Sequence, residues 1–389
     1  MRSNSKIYYW CPFITHVATV KAVYNSVVSL NKFSKNTYEG LIIDTFGEWK
    51  SSKYYNQNHK FFFGLNVTKL ITRIPSFGLF FSRFKYILIF ILAYLPLKNF
   101  LNNKKPEYLI IHLMTSLPLF LNLVNNFETK IILRISGKPK LNFIRYLFWK
   151  IALKKIFKIT FPTKETLDYF KGINLIDNEK LCLLSDPIIS TEEINIEKKN
   201  EKINDNFNNH KKYYVAIGRL TKQKNFSFLI KCFKELIYKN KNICLIIIGQ
   251  GEDLESLNKF IKENDIHKNI FLIGHKDNVF KYLNNCEAFI LSSLWEDPGF
   301  VLLEAMFCNA IVLSSDCESG PKEIIGNDRG ILFRSNSRED FLNKFNILEN
   351  IDEESKFKIR LNAKKFTKNF SLINHYKQLE KLLSRSNEY

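Results

Sequence analysis

YYVAIG at 213–218, ICLIIIG at 243–249, NIFLIG at 269–274, EAFILSS at 287–293 and AIVLSS at 310–315 are short apolar runs, each followed by a stretch with helical spacing. A strand that is apolar throughout, rather than at every second residue, is buried on both faces. Such strands alternating with helices build a parallel sheet covered on both sides. The second half of the chain therefore reads as a Rossmann-like α/β domain. Toward the N-terminus the theme recurs less cleanly in EGLIIDTF (39–46), EYLIIHL (107–113), TKIILRIS (129–136) and KIFKITFP (155–162).

At 389 residues the chain exceeds what one core usually serves, so two domains are expected. Between them, 190–212 is rich in Asn, Lys and Glu and nearly free of large apolar side chains, which reads as a solvated connection. The reading gives an N-terminal domain over 1–190, a C-terminal domain over 191–365, and a closing helix over 366–389 that packs back on the first. The wider stretch 353–386 is highly charged, with spaced Phe, Ile and Leu.

The formal net charge of +20 points to an anionic partner, and its distribution is uneven. Residues 1–190 hold 27 Lys and Arg against 10 Asp and Glu, leaving 31 against 28 for the remainder. Part of this excess fits a general compositional bias toward Lys, Asn, Ile, Phe and Tyr. Two basic stretches mix with apolar residues. In 77–101 the uncharged core from Tyr86 to Leu97 is 12 residues, too short to span a bilayer, and reads either as a buried helix or as one lying in a membrane interface. In 138–158 there are seven Lys and Arg and no acid; i, i+4 spacing places Lys150, Lys154 and Lys158 on one helical face among aromatic residues. The seven cysteines are scattered with no C-x-x-C pair, and the N-terminus lacks an apolar run followed by a cleavage site. Both suggest a cytoplasmic chain, and the stretches 77–101 and 138–158 suggest one peripheral on the inner face of the membrane.

Chemistry concentrates in SSLWEDPGFVLLEAM, 292–306. A strand ends at Ser292–Ser293, a loop carries Glu296, Asp297, Pro298 and Gly299, and a helix starts near Phe300. Gly299 allows close approach of a ligand to the backbone, and the amides of a helix start, here Gly299, Phe300 and Val301, suit an anionic or hydroxyl-rich ligand. Glu304, one turn inside, has the acceptors to hold two vicinal hydroxyls. Either glutamate alone reads as an ordinary loop or helix-start charge.

Two glutamates at this separation, around Gly299, resemble the hallmark segment of the retaining family-4 (group 1) glycosyltransferases of GT-B fold, with Asp297–Pro298 replacing the usual Gly–Phe. AIGRLTKQKNF (216–226) is similar to that family's strand–G-R-L-x-x-x-K segment. IIIGQGED (246–253) and SSDCESGPKEII (314–325) resemble two further segments, matching at Gly249, Gly320 and Glu323. The resemblance covers about 215–335 and implies two Rossmann-like domains with a cleft between them. It implies that Gly218, Arg219, Lys224, Gly249, Gly299, Phe300, Val301 and Glu304 bind a nucleotide-sugar donor, a UDP- or GDP-sugar, with Glu304 on the ribose, Glu296 on the sugar, and Arg219 and Lys224 on the diphosphate. Over 1–190 the likeness is thin. CPFITHVATV (11–20) lacks the family's glycine-rich loop, and Ser136 stands where the family has a histidine; His112 and His16 are the substitutes, His112 being the catalytic candidate.

The implied activity is transfer to a glycan or lipid-linked acceptor in polysaccharide or glycolipid synthesis, with no cofactor and, for want of an Asp-x-Asp pair, no metal. A sugar-nucleotide epimerase of related fold is the alternative within enzymes. A basic nucleic-acid-binding protein is the alternative outside them, but such a module has no need of the two glutamates, so nucleic acid is not an expected partner.

Overall fold

The structure is a computed structural model that describes residues 5–14, 18–52, 54–55, 60–62, 71, 74, 78–139, 141–199 and 212–384. The chain divides into two compact units, Met1–Ile188 with Leu372–Tyr389, and Ile189–Ser371.

In the first unit the order is β1 (Ser5–Trp10), α1 (Ala18–Phe33), β2 (Tyr38–Asp44), β3 (Lys60–Phe62), α2 (Gly78–Lys104), β4 (Tyr108–Ile111), α3 (Ser116–Val124), β5 (Lys130–Arg134), α4 (Phe143–Ala152), β6 (Lys158–Phe161), α5 (Lys164–Ile173) and β7 (Leu181–Leu183). The strands pair in parallel in the order β3-β2-β1-β4-β5-β6-β7. One face of this sheet is covered by α2 to α5, through residues such as Leu97, Leu121, Trp149 and Phe170. The other is covered by α1 together with α14 (Leu372–Ser384), which returns to this unit and buries Tyr376, Leu379 and Leu383.

The second unit runs α6 (Thr191–Lys199), β8 (Lys212–Ile217), α7 (Phe226–Lys239), β9 (Ile243–Ile248), α8 (Leu254–Glu263), β10 (Ile270–Leu272), α9 (Phe280–Asn284), β11 (Ala288–Leu291), α10 (Phe300–Phe307), β12 (Ile311–Ser315), α11 (Pro321–Ile325), β13 (Ile331–Phe333), α12 (Arg338–Asn350) and α13 (Glu353–Thr367). Its strands are parallel in the order β10-β9-β8-β11-β12-β13. All six residues of β9 are buried, as a central strand covered on both faces requires. Two such units, each a parallel sheet between helices, make the GT-B fold.

Three sequence expectations change. The solvated connection begins as helix α6, which packs on α9 and fully buries Ile194, while 200–211 lies outside the described residues. Lys158 does not share a helical face with Lys150 and Lys154. The helix ends at Ala152, because the chain must extend to enter β6, and Lys158 there donates to Glu179 O. From residue 78 on, the apolar segment 77–101 is part of the 27-residue α2, and Arg83–Lys104 is by length and composition long and apolar enough to cross a membrane. Its packing places it otherwise: Ala93, Leu97, Phe100 and Leu101 are buried in the sheet core, so α2 is the crossover helix from β3 to β4.

A buried polar chain anchors α14. His375 Nδ1–H donates to Ser185 O at 2.7 Å, which leaves Nε2 to accept from Ser26 Oγ at 2.6 Å, and Ser26 in turn is bonded to Tyr9 Oη at 2.7 Å. Burial holds His375 down to about 4, with the Ser185 carbonyl and Asp186 pulling it up. The unfolded chain, with an ordinary imidazole, binds the proton more readily. Stability from this group is therefore complete above the usual histidine range and is lost as pH falls from about 6.5 toward 4, by roughly 3 kcal/mol in all. Urea unfolding across that window should show the loss in the wild type. His375→Gln should remove its share of the slope and leave the part that belongs to the buried His112; an equal slope in both would place the pH dependence elsewhere.

Candidate active site

Open parallel sheets bind ligands beyond the carboxyl ends of their strands. In the second unit those ends belong to β8, β9, β11 and β12, and the loops leaving them are stitched together. Gly218 N donates to Ile248 O, and Leu220 N to Gln250 O. The backbones touch so closely that a Cβ at Gly249 would stand 1.8 Å from Gly218 O, which restricts that position to glycine.

At the centre lies Glu296, buried in the loop after β11. Its Oε1 accepts from Lys224 Nζ and from Ser293 Oγ, each at 2.5 Å. Lys224 comes from the loop after β8 and lays its stem along Gly218, where a Cβ would meet the Lys224 carbons at 3.0 Å. Ser292 Oγ donates to Lys224 O, Leu294 N to Gln223 O and Gln223 Nε2 to Trp295 O, so the loops after β8 and β11 are held in register. Ser315, the last residue of β12, donates to Ser293 O at 2.7 Å. Glu296 N donates to Glu318 O, and Gly320 lies against Pro298 O, so the loop after β12 joins the same cluster.

Gly299 takes a left-handed conformation at φ 87° and begins α10. The first amides of such a helix, here Phe300 and Val301, have no acceptor within it and sum to a local positive end. Glu304 stands one turn further, half-buried. Arg219 is exposed, with Nη2 donating to Gln223 Oε1 at 3.3 Å. Gly218, Arg219, Lys224, Gly249, Glu296, Gly299, Phe300, Val301 and Glu304 thus come from the loops and the helix start at one edge of this sheet. The Lys224–Glu296 pair was not among the sequence expectations, which gave the two separate roles.

His112 belongs to the other unit, at the end of β4. Its ring stacks on Tyr9 with centroids 6.1 Å apart, and Nδ1 is buried without a hydrogen-bond partner. Burial and the neighbouring Arg134 and His375 hold it well below the usual histidine range, so it is neutral near pH 7. Ser136 follows β5, half-buried, and His16 lies outside the described residues.

Sequence reasoning passed over several polar groups. The signal for Ser293 and Ser315 was the repeated Ser-Ser ending of EAFILSS and AIVLSS; all four serines are buried. Another is the carboxyl pair in IIDTFGEW. Asp44 Oδ1 accepts from Gly47 N, Glu48 Oε1 and Oε2 accept from Thr45 N and Phe46 N, and burial with the neighbouring Asp44 holds Glu48 well above the ordinary carboxylate range. The third is Asp297, pushed up to about 6 by desolvation and by Glu296, against the pull of Lys224.

Known proteins resemble this arrangement at two levels. Residues 197–366 match the family model of the glycosyl transferases group 1. An uncharacterised glycosyltransferase of Methanocaldococcus jannaschii is 33% identical over 217 residues, 51% of each chain. The Campylobacter jejuni N-acetylgalactosamine-N,N'-diacetylbacillosaminyl-diphospho-undecaprenol 4-alpha-N-acetylgalactosaminyltransferase is 26% identical over 204 residues, 52% of this chain and 55% of that one. The chain spans about half the length of these curated relatives. In fold the likeness extends over the whole chain. A glycosyltransferase from Rickettsia africae superimposes with a TM-score of 0.70 at 14% identity, covering 99% of this chain and 100% of that one. Staphylococcus aureus TarM, crystallised with UDP and alpha-GlcNAc-glycerol, gives 0.72 at 12% identity over 97% and 99%.

Two outcomes test this geometry. Lys224→Met leaves the buried Glu296 charge uncompensated and should destabilise the protein by roughly 3 kcal/mol in urea unfolding, most of it recovered by adding Glu296→Gln. Without that recovery the pair is not a coupled unit. Asp297 gains its negative charge as pH rises through about 6, so a bound nucleoside diphosphate should be held less tightly above that pH than below it. Titration calorimetry should show the trend in the wild type and not in Asp297→Asn.

Proposed function

We propose that the chain is a retaining glycosyltransferase that moves a sugar from a nucleoside-diphosphate sugar to a glycan or lipid-linked acceptor, working at the inner face of an anionic membrane. The observation that carries the reading is the Lys224–Glu296–Ser293 cluster beside the left-handed Gly299 at the start of α10. A diphosphate needs positive charge that is fixed in place before it arrives, and here that charge comes from Lys224, Arg219 and the amides of Phe300 and Val301.

Glu304, one turn into α10, takes the ribose hydroxyls, and Glu296 faces hydroxyls of the sugar. As the glycosidic bond breaks, negative charge grows on the departing phosphate oxygen. The cations that bound it in the ground state then hold it more strongly, which is the condition for catalysis. The acceptor hydroxyl attacks the same face of the sugar, so no carboxylate nucleophile is required. Neutral His112 is the candidate to receive the acceptor proton. A lipid-linked acceptor fits the Campylobacter relative, whose name contains a diphospho-undecaprenol.

A thermal-shift screen against UDP-, GDP- and ADP-sugars tests the donor class, since a ligand at a hundred times its dissociation constant stabilises by roughly 2.7 kcal/mol. With the responding donor, Arg219→Ala should lower turnover by something like 10²–10³, and Glu304→Gln should act mainly on apparent donor affinity. Unchanged kinetics in both variants would dismiss the site. Proton NMR of the product anomer decides retention.

A further inference from the structure

We infer that one face of the first unit, formed by α2, α3 and α4, is the surface on which the protein lies against an anionic lipid bilayer. The inference rests on the membrane-side reading above and gives it a location. On α2 the side chains opposite the core, Phe84, Ile87, Ile91 and Leu95, are exposed by 50–64% and follow one another at helical spacing. A side chain of this kind gains by leaving water, yet among the described residues nothing covers this stripe. On α4 the same holds for Phe143 and Ile144, exposed by 76% and 77%, and for Leu147 and Ile151 along the next turns.

The helix between them makes the surface continuous. On α3, Phe120 packs its ring 6.1 Å from Phe90 of α2, and Asn122 Nδ2 donates to Lys155 O just past α4. Val124 adds to the exposed side. Scattered single apolar side chains are normal on a protein surface, but a patch continuous over three neighbouring helices marks a binding face.

Charge selects the occupant. None of the three helices contains an Asp or Glu, and 129–164 is free of acid throughout. Lys98 continues the α2 stripe one turn beyond Leu95, while Lys150 and Lys154 lie on the exposed side of α4 and the turn that follows it. Lys155 and Lys138 are engaged elsewhere, on Leu123 O and Glu165. Apolar side chains that stand out from the surface, on helices that carry lysines and no acid, suit an interface where acyl chains take the first and anionic headgroups meet the second. A second copy of this chain would bring the same cations against themselves.

The test is co-sedimentation of the full chain with vesicles of phosphatidylglycerol and phosphatidylcholine, against phosphatidylcholine alone, with no sugar donor present. Wild type should partition to the anionic vesicles, less so as salt is raised. Ile91→Glu with Ile144→Glu should reduce partitioning at least tenfold, and Lys150→Gln with Lys154→Gln by roughly thirtyfold, each lysine near an anionic surface being worth about fivefold. A polarity-sensitive fluorophore on Phe143→Cys should shift to the blue on anionic vesicles, a readout independent of the glutamate variants. The inference is overturned if wild type stays in solution with both vesicle types, or if the isoleucine variant binds as well as wild type. It is equally overturned if wild type is a dimer that the isoleucine substitutions split. Donor-induced stabilisation, measured in parallel, separates failure of this face from failure of the transferase reading.

Discussion

A carboxylate buried away from water must be paired, and Glu296 is the group around which the second unit's functional edge is arranged. Its two partners arrive from different segments, Lys224 from the loop after β8 and Ser293 from the end of β11, while Ser315 ties in β12 through the Ser293 carbonyl. Three loops that have no secondary structure of their own are thereby fixed relative to one another. The helix start at Gly299 inherits that position, since only two residues separate it from Glu296. The pairing also means that Lys224 already has a counter-ion in the free protein. Any anion it accepts is met by a lysine whose desolvation is already offset, held by a carboxylate that cannot follow it outward.

The carboxyl edge of the first sheet is built on different electrostatics. There Asp44 and Glu48 fold their own loop by accepting backbone amides, with Glu48 held above the ordinary carboxylate range, and His112 is held neutral. Backbone donors hold these carboxyls where a lysine holds Glu296 in the other unit.

Much of this was legible in the chain before folding. Uninterrupted apolar runs such as ICLIIIG can be satisfied only in the middle of a parallel sheet, so both the class of fold and the sheet of the second unit follow from them. Gly299 and the glutamates were legible because a glycine at a helix start and two acids around it form a local pattern. What stayed hidden was contact at long range. Nothing in a lysine at 224 says that its partner is 72 positions away, and the buried serines read as strand ends. Helix α6 was misread as open connection because a short helix with one buried residue, Ile194, has too little periodicity to stand out from its charges. The apolar segment at 77–101 was ambiguous for a different reason, since one of its faces is core and the other is bare, and composition alone averages the two.

The return of α14 to the first unit bears on how the molecule is made. Tyr376, Leu379 and Leu383 complete one of the two hydrophobic layers of that unit, yet they follow all of the second unit in the chain. On the ribosome, the strands β1 to β7 emerge first and wait, with the layer over α1 unfinished, while some 180 residues of the second unit are added and can fold as a continuous piece. The unit made first is therefore the one finished last. Until α14 emerges, the nascent chain presents apolar surface around α1, and a premature stop just before residue 372 would release a protein with a complete second unit and an open first unit.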